Sequence, residues 1–305
     1  MKHLIDIHPL SPQDIWHIFH TAAEIKRAPL KFRNALSGKT LGMIFQKAST
    51  RTRVSFEVGI YQLGGIGLYL SANDLQIGRG EPISDTARVL SRYLDGIMAR
   101  VFDHQQLIDL ASFGSIPVIN GLSDLSHPCQ ALADYFTIWE KKGSLERLKV
   151  AYVGDGNNMA HSLLEAAAKL GIHFASANPS AYRMKDDIVS AARGEAEKTG
   201  AQITLTQDPV EAVKDADIVY TDVWASMGQE SESEKRRMAF RGFQVSRELM
   251  NHASPDCRFM HCLPAHREEE VTGEVLESDR SIVFDQAENR LHVQKAIMLL
   301  LMQNQ

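Results

Sequence analysis

The feature that most constrains the fold of this chain is a repeated alternation of short apolar runs with longer helix-like segments. Apolar runs of strand length lie at 41–45, 66–70, 96–101, 117–121, 149–153, 173–177, 202–205, 218–221, 258–260 and 282–284. Helix-like segments separate most of them, in units of about 20 to 30 residues. Strands and helices that alternate in this way form parallel sheets covered by helices on both faces. We therefore expect an α/β fold.

Two series of these units follow one another, which predicts two domains. The chain has 305 residues, of which 44% are hydrophobic and 23% charged, enough for two domains of about 150 residues each. Lys142-Gly143-Ser144 is typical of a helix end, and a new strand is expected from Lys149. We expect domains at 1–142 and 143–285, and the final helix, 286–305, can return to either one.

Composition excludes several classes of function. The net charge is −5 and the sequence pI is about 6.2, and no segment concentrates the basic residues that a nucleic acid or a membrane surface would need. Three cysteines cannot make a disulfide framework, so a reducing compartment, the cytoplasm, is expected. The apolar run at 296–302 is far shorter than the roughly 20 residues that span a bilayer.

Ser49-Thr50-Arg51-Thr52-Arg53 lies between the apolar run 41–45 and a helix-like run, 54–63. The first N–H groups of a helix lack intrahelical partners and the helix dipole is positive there, so this segment is typical of an anion site. Neighbouring side chains point in different directions, so we expect Arg51 to face the anion and Arg53 to brace the loop. The alternative is a capped helix start with a solvated basic face.

In open parallel sheets, ligands bind beyond the carboxyl ends of the strands. Polar side chains follow nearly every expected strand, at 47–53, 73–79, 100, 121–130, 154–161, 222–228 and 261–264. This agreement predicts a single active site in a cleft between the two halves.

Three of these positions suit the stabilisation of negative charge. Arg100 ends an expected strand and would complement a phosphate bound at Arg51, although a surface role is the alternative. His127 and Gln130 open a long helix, where an imidazole and an amide can donate to a carbonyl oxygen. A purely structural helix start capped by Ser126 is equally compatible with the sequence.

The segment 153–159 follows a strand and opens a helix, but it is a poor dinucleotide site. Met159 replaces the third glycine of the dinucleotide-binding pattern, and the next strand ends in Asn178-Pro179 without an acidic residue. Asn157 and Asn158 are either helix caps or ligands for the polar end of a small substrate.

Asp222 follows another strand and could pair with a substrate ammonium, or it could be an ordinary turn aspartate. His261-Cys262, with His266 nearby, raises the question of a metal, but no second cysteine pair accompanies it and zinc is not expected.

Taken together, these segments resemble those of the ornithine carbamoyltransferases along essentially the whole chain. The matching motifs are 49–53, His127-Pro128-Cys129-Gln130, Asp222 with Ser226-Met227-Gly228, His261-Cys262-Leu263-Pro264 and Ala287-Glu288-Asn289-Arg290. The first two are shared with aspartate carbamoyltransferases and indicate carbamoyl phosphate only. The Ser-Met-Gly loop and His-Cys-Leu-Pro indicate ornithine.

The resemblance implies a role for each matching residue. Carbamoyl phosphate would be bound by Ser49, Thr50, Arg51, Thr52, Gln76, Arg100, His127, Gln130, Cys262, Leu263 and Arg290. In homologues, the mobile loop that carries Gln76 borders a neighbouring subunit's site. The amino-acid end of L-ornithine would be bound by Asn158, Asp222, Ser226 and Met227. The groups implied in catalysis are Arg51, Arg100, His127, Gln130 and Cys262.

The implied reaction transfers a carbamoyl group to the δ-amine of L-ornithine and needs no cofactor or metal. The resemblance also implies a homotrimer, with higher assemblies of trimers possible, and a last helix that packs on the first domain. Cys262 would either accept a proton or position the amine. Two alternatives stay open: transfer to another amine, such as putrescine or an acylated ornithine, and a carbamoyl-phosphate-binding subunit without catalysis. Gln46 stands where many relatives carry glutamate, a change expected to affect loop bracing.

Overall fold

A computed structural model describes residues 1–225 and 232–303, which form two compact units. Unit 1 comprises Met1–Phe136 and Glu288–Gln305, and unit 2 comprises Thr137–Ala287.

Unit 1 is built on a four-stranded parallel sheet with the order β2-β1-β3-β4. Its strands are β1 (Thr40–Phe45), β2 (Ile66–Ser71), β3 (Gly96–Arg100) and β4 (Val118–Leu122). Its helices are α1 (Pro12–Arg27), α2 (Thr50–Gln62), α3 (Ile83–Leu90), α4 (Gln105–Phe113) and the first part of α5 (Pro128–Lys142). One-turn 3₁₀ helices lie at Pro29–Phe32 and Gln76–Arg79, the second of them within the expected loop after β2.

Unit 2 is built on a five-stranded parallel sheet with the order β7-β6-β5-β8-β9. Its strands are β5 (Lys149–Val153), β6 (His173–Ala177), β7 (Ile203–Thr206), β8 (Ile218–Thr221) and β9 (Arg258–His261). Its helices are α6 (Asn158–Leu170), α7 (Asp186–Thr199), α8 (Pro209–Val213), α9 (Ser233–Ala239), α10 (Arg247–Met250) and α11 (Gly273–Leu276), followed by the start of α12 (Val283–Met302). The expected α/β class, parallel sheets covered by helices, is confirmed.

The central strands are buried along nearly their whole length, as strands covered by helices on both faces must be. The expectation that 66–70 is also buried is wrong, because β2 is an edge strand with Ile66, Leu68 and Tyr69 exposed. Apolar composition alone does not distinguish an edge strand from a central one.

The strand expected at 282–284 is also wrong. Ser281 makes a single parallel bridge to Phe259, and α12 begins two residues later at Val283. Backbone bonds from Phe259 N to Arg280 O and from Ile282 N to Phe259 O form this bridge. The apolar residues that follow it are therefore the first turn of a helix.

Each sheet reverses its strand order once, between β1 and β3 in unit 1 and between β5 and β8 in unit 2. Loops at such a reversal diverge to opposite sides of the sheet and leave a crevice at the carboxyl ends of the two strands. The candidate residues after β1 and β3, and after β5 and β8, lie at these two positions.

The chain passes from unit 1 to unit 2 inside α5 and back again inside α12. Glu288 to Met302 therefore belong to unit 1, although the residues before them belong to unit 2. Within the described ranges, no helix combines the length and the apolar character needed to cross a membrane.

Candidate active site

The start of α2 is the first candidate segment, and the structure makes Ser49 its N-cap. The Ser49 hydroxyl accepts from the backbone N–H of Thr52 at 3.3 Å and donates to Thr52 Oγ1 at 3.1 Å. Capping uses one of the unpaired N–H groups at this helix start and leaves neighbouring ones for a ligand. The start of α2 can therefore be capped by Ser49 and still bind an anion, so the two interpretations of this segment do not exclude each other.

Thr52, Gln130 and Arg290 come together in unit 1 through one buried guanidinium group. Arg290 donates from Nη2 to Thr52 Oγ1 at 2.9 Å and from Nη1 to Gln130 Oε1 at 2.9 Å. The Thr52 oxygen accepts from both Arg290 and Ser49, so the threonine's own proton is available for a third group. α12 thereby fixes a donor at the start of α2.

His127 immediately precedes α5 and is 5% exposed. Its burial, with the nearby guanidinium groups of Arg290 and Arg100, holds its pKa well below the usual range. The imidazole is therefore neutral at pH 7 and can donate a hydrogen bond without adding a positive charge. A neutral donor in this position suits the oxygen of a carbonyl group.

Arg100 is the last residue of β3 and only 7% exposed, so the alternative of a surface arginine does not apply. The backbone N–H of Gln46, in the loop after β1, donates to Arg100 O at 2.9 Å and so connects this loop to the end of β3. The Gln46 side chain accepts from Phe102 N at 3.0 Å and donates to Gln106 Oε1 at 2.6 Å. An amide is needed for this double role, since a glutamate could not donate to Gln106.

The two arginines of α2 have different surroundings. The guanidinium carbon of Arg53 lies 4.0 Å from the centre of the Tyr69 ring, and its Nε lies 3.3 Å from Glu57. Arg53 therefore braces α2 against β2, whereas Arg51 is half-buried and Thr50 is exposed in the first turn. Gln76 is exposed on its 3₁₀ turn.

In unit 2, Asp222 follows β8 and collects three donors. Its Oδ1 lies 3.0 Å from the sulfur of Cys262 and accepts from Val223 N at 2.8 Å, and its Oδ2 accepts from Asn157 Nδ2 at 3.0 Å. Asp222 is 8% exposed, so these bonds compensate the desolvation of a buried carboxylate. The contact with Asn157 joins the two sides of the strand-order reversal.

His261 orders the turn that follows β9. Its Nδ1 accepts from Leu263 N at 2.8 Å, so Nε2 carries a proton and lies 3.0 Å from Glu270 Oε1. Leu263 has a left-handed backbone, with φ of 58°. Both imidazole nitrogens are thus occupied in forming this turn, which presents Cys262 to Asp222.

Two protein-family models together match the chain over nearly its whole length. Residues 2–140 match the aspartate/ornithine carbamoyltransferase carbamoyl-P binding domain, and residues 146–301 match the Asp/Orn binding domain of the same enzymes. The chain belongs to the aspartate/ornithine carbamoyltransferase family.

Individual carbamoyltransferases agree with this assignment. An ornithine carbamoyltransferase from Thermococcus kodakarensis is 65% identical over 272 residues, which cover 89% of this chain and 86% of that protein. Another, from Pyrococcus abyssi, is 58% identical over 99% of this chain and 96% of that protein. A solved ornithine carbamoyltransferase from Pyrococcus furiosus superposes with a TM-score of 0.97 at 57% identity, covering 100% of this chain and 98% of that one. The resemblance inferred from the motifs is confirmed.

Ser226 and Met227 lie outside the described residues, as does the rest of 226–231. Asn158 is the first residue of α6 and is half-buried. The side chain of its neighbour, Asn157, bonds to Asp222. Asn157 also caps α6, accepting from Met159 N at 2.9 Å.

Arg236 is not among the residues singled out from the sequence, yet it is only 5% exposed within a charged segment. It donates to Asp155 Oδ2 at 2.7 Å and to Trp224 O at 2.8 Å, and its guanidinium carbon lies 4.6 Å from the Tyr182 ring centre. Burial raises the pKa of Asp155 to about 6 even with Arg236 beside it. No periodic pattern signalled this pair, because α9 has only seven residues.

The glycine-rich turn after β5 does not offer a dinucleotide the backbone approach that such ligands need. A Cβ on Gly156 would lie 2.3 Å from Met184 N and 2.4 Å from Arg183 C. Protein backbone therefore occupies the side that a pyrophosphate would approach. Gly156 N donates to Tyr182 O at 2.8 Å, which holds the two segments together.

Proposed function

We propose that this carbamoyltransferase transfers the carbamoyl group of carbamoyl phosphate to the δ-amine of L-ornithine, giving L-citrulline and phosphate. Unit 1 would supply most of the residues that bind carbamoyl phosphate, and unit 2 would supply those that bind ornithine. The residues proposed for each substrate are those inferred from the sequence, with Asn157 added through its contact with Asp222.

The phosphate would lie at the start of α2. Unpaired N–H groups, the helix dipole, the Arg51 guanidinium and the hydroxyls of Ser49, Thr50 and Thr52 all favour a dianion there. The proton of Thr52 is available because its oxygen already accepts twice. As the carbon–oxygen bond to the phosphate breaks, these donors would stabilise the negative charge that the leaving group acquires.

The carbamoyl carbonyl would lie against Arg100, His127 and Gln130. The amine nitrogen attacks the carbonyl carbon, the carbonyl oxygen becomes an oxyanion, and phosphate then leaves as the carbonyl re-forms. A neutral His127 donates to that oxygen throughout, because its lowered pKa keeps it from binding a second proton. One N–H of Gln130 is also available, since the other bonds to Asp134.

The observation that carries the assignment of the acceptor is the contact between Asp222 and Cys262. A buried carboxylate at the end of β8 suits a substrate ammonium, and the thiol held 3.0 Å away places a polar group beside the amine. The thiol donates to Asp222 in this structure, which supports positioning of the amine as its role. The δ-ammonium must lose one proton before its nitrogen can attack, and the nitrogen releases a second proton, which the leaving phosphate can take up, as the new C–N bond forms.

Product formation with purified protein tests this proposal. L-citrulline and phosphate should form in equal amounts from carbamoyl phosphate and L-ornithine. Putrescine, N-acetylornithine and L-aspartate should be poor acceptors in parallel assays. Preference for an acceptor without an α-amino acid group would overturn the ornithine assignment, and binding of carbamoyl phosphate with no transfer to any amine would favour a non-catalytic subunit.

We also propose that the chain forms a homotrimer through an apolar surface on unit 1. Val54, Val58 and Tyr61 of α2 are exposed beside Ile66 of the edge strand β2, and they line a concavity of about 720 Å³. Exposed apolar side chains that are grouped in this way favour contact with another protein surface. A second copy of this chain is the proposed occupant, with trimers able to assemble further.

Light scattering coupled to size exclusion tests the oligomeric state, and Tyr61→Asp should shift the trimer toward monomers. Gln76 is proposed to serve the site of a neighbouring copy, because the described residues include no side-chain hydrogen bond from Gln76 to its own site. Loss of activity on dissociation would support this exchange. The proposed location is the cytoplasm, which suits the three free thiols of the chain.

A further inference from the structure

Asp134 lies one turn after Gln130 on α5, is 0% exposed, and is not among the residues proposed to bind either substrate. Its Oδ1 accepts a hydrogen bond from Gln130 Nε2 at 2.8 Å. We propose that Asp134 is a positioning residue, which fixes the orientation of the Gln130 amide and so holds Arg290 in place for carbamoyl phosphate. This inference rests on the proposed function for the identity of the ligand.

The orientation of the Gln130 amide follows from its two partners. An ionised carboxylate only accepts hydrogen bonds and a guanidinium only donates them. Asp134 therefore requires the nitrogen of the amide to face it, and Arg290 requires the oxygen to face the other way. The distances of 2.8 Å and 2.9 Å satisfy both requirements with a single amide orientation.

The amide also connects a buried anion to a buried cation. Asp134 polarises the Gln130 amide by accepting from its nitrogen, which strengthens the oxygen as an acceptor for Arg290. If the amide turned over, its NH₂ group would face the guanidinium and repel it. Arg290 would then lose its bond to Gln130, which helps to hold the other guanidinium nitrogen against Thr52.

Burying the Asp134 carboxylate costs free energy, which suggests that the carboxylate has a function. Removing a carboxylate from water costs several kcal/mol when it is not well hydrogen-bonded, and an apolar residue would fill an interior helix position at no such cost. We therefore infer that Asp134 serves to orient its neighbours. Hydrogen bonds connect it through Gln130 to Arg290, and through Arg290 to Thr52.

Two substitutions of similar size test the inference. Asp134→Asn keeps an oxygen that can accept from Gln130 but removes the charge, whereas Asp134→Leu removes the acceptor. We expect the Kd for carbamoyl phosphate, measured by calorimetry without ornithine, to rise about tenfold for Asn and about a hundredfold for Leu. The KM for ornithine should stay within about twofold of wild type in Asp134→Asn.

Glu140→Gln provides the control, because it removes one negative charge from an exposed position on the same helix. It should leave the Kd for carbamoyl phosphate unchanged. If Asp134→Leu does not fold, as judged by circular dichroism, the Asn variant alone decides. Unchanged carbamoyl phosphate affinity in Asp134→Asn would overturn the inference, as would equal losses for both substrates in step with a fall in melting temperature.

Calorimetry separates this inference from the proposed function. Binding of carbamoyl phosphate that depends on Asp134, in a protein that carbamoylates no amine, would overturn the transferase proposal and leave the positioning role standing. Citrulline formation with an Asp134-independent Kd would do the reverse. A wild-type protein that binds no carbamoyl phosphate would overturn both.

Discussion

The sulfur of Cys262 and Oδ1 of Asp222 lie 3.0 Å apart, a hydrogen-bond distance for a thiol that donates to a carboxylate. The turn after β9 and the end of β8 are joined at this point. A substrate amine bound by the carboxylate would replace or share the bond that the thiol makes in its absence.

Asp222→Asn should weaken ornithine binding and leave carbamoyl phosphate binding intact. Loss of a charged acceptor for an ammonium costs about 1.5 to 3 kcal/mol, which corresponds to a rise in ornithine KM of about 10- to 150-fold. Asp217→Asn is the matched control at the other end of β8, where Asp217 accepts from Lys149 N. Steady-state kinetics with each substrate varied provide the measurement. A selective rise in the carbamoyl phosphate KM would mean that the substrates are assigned to the wrong units.

Cys262→Ser and Cys262→Ala distinguish positioning from proton transfer. A serine hydroxyl can donate to Asp222 as the thiol does, so Cys262→Ser should keep kcat within about tenfold of wild type, and Cys262→Ala should lose more. A serine cannot replace a thiolate base near neutral pH. Equal losses in the two variants, with a changed pH profile of kcat, would indicate that the thiol accepts the proton.

Arg51→Ala should reduce carbamoyl phosphate affinity by about a hundredfold or more, because a guanidinium bonded to a phosphate makes strong charge-assisted hydrogen bonds. Arg53→Ala is its neighbour and control. Its guanidinium stacks on Tyr69 and pairs with Glu57, so its loss should change affinity by less than about fivefold. Calorimetry with carbamoyl phosphate measures both, and similar effects from the two substitutions would contradict the assignment of Arg51.

Asp155 should make wild-type stability depend on pH in a defined direction. Its pKa is raised from 3.8 to about 6, chiefly by burial. Between those values the unfolded chain has released this proton and the folded chain retains it, so the free energy of unfolding falls as pH rises from about 4 to 6. At about 1.4 kcal/mol per pKa unit, the contribution is about 3 kcal/mol.

Asp155→Asn removes this titration and also leaves Arg236 without its carboxylate partner. The difference in free energy of unfolding between wild type and variant should therefore change by about 3 kcal/mol across pH 4 to 6 and level off above. Denaturant unfolding at several pH values measures it. A difference that is constant from pH 4 to 7 would show that Asp155 titrates normally.

Gly156→Ala should destabilise unit 2 by about 2 to 4 kcal/mol, because the new methyl group would lie 2.3 Å from a backbone nitrogen that cannot move alone. Gly194→Ala is the control. No atom lies within 4 Å of a Cβ at Gly194, which is inside α7, so this change should stabilise by about 0.5 to 1 kcal/mol. Denaturant unfolding compares the two, and a neutral Gly156→Ala would show that the loop at 182–184 adapts.

The bounds of many strands and helices follow from local sequence features, namely the spacing of apolar residues and the residues that favour turns. Strands β5 and β6 begin and end where the apolar pattern predicts, and α5 ends at Lys142, where the turn residues predict a helix end. Strand ends could be located in the same way, and so could the polar residues that follow them. Carboxyl ends of parallel strands meet at one edge, which made Arg100 and Asp222 candidates before any contact was known.

Other features depend on contacts between distant segments, which a single sequence does not encode locally. The exposure of β2 depends on its place at the edge of the sheet. Burial of Arg236 depends on Asp155, 81 positions earlier in the chain. Asn157 and Asn158 have the same side chain, so only the geometry of the helix start shows that Asn157 reaches Asp222.

The passage of α12 into unit 1 has a consequence for the order in which the protein is made. Synthesis proceeds from the amino terminus, and Arg290 leaves the ribosome after all of unit 2. Until then, Thr52 and Gln130 cannot form their hydrogen bonds with the Arg290 guanidinium. A nascent chain arrested before residue 288 would lack Arg290 at the proposed carbamoyl phosphate site, so on this proposal the ability to bind carbamoyl phosphate shows that translation has reached the last helix.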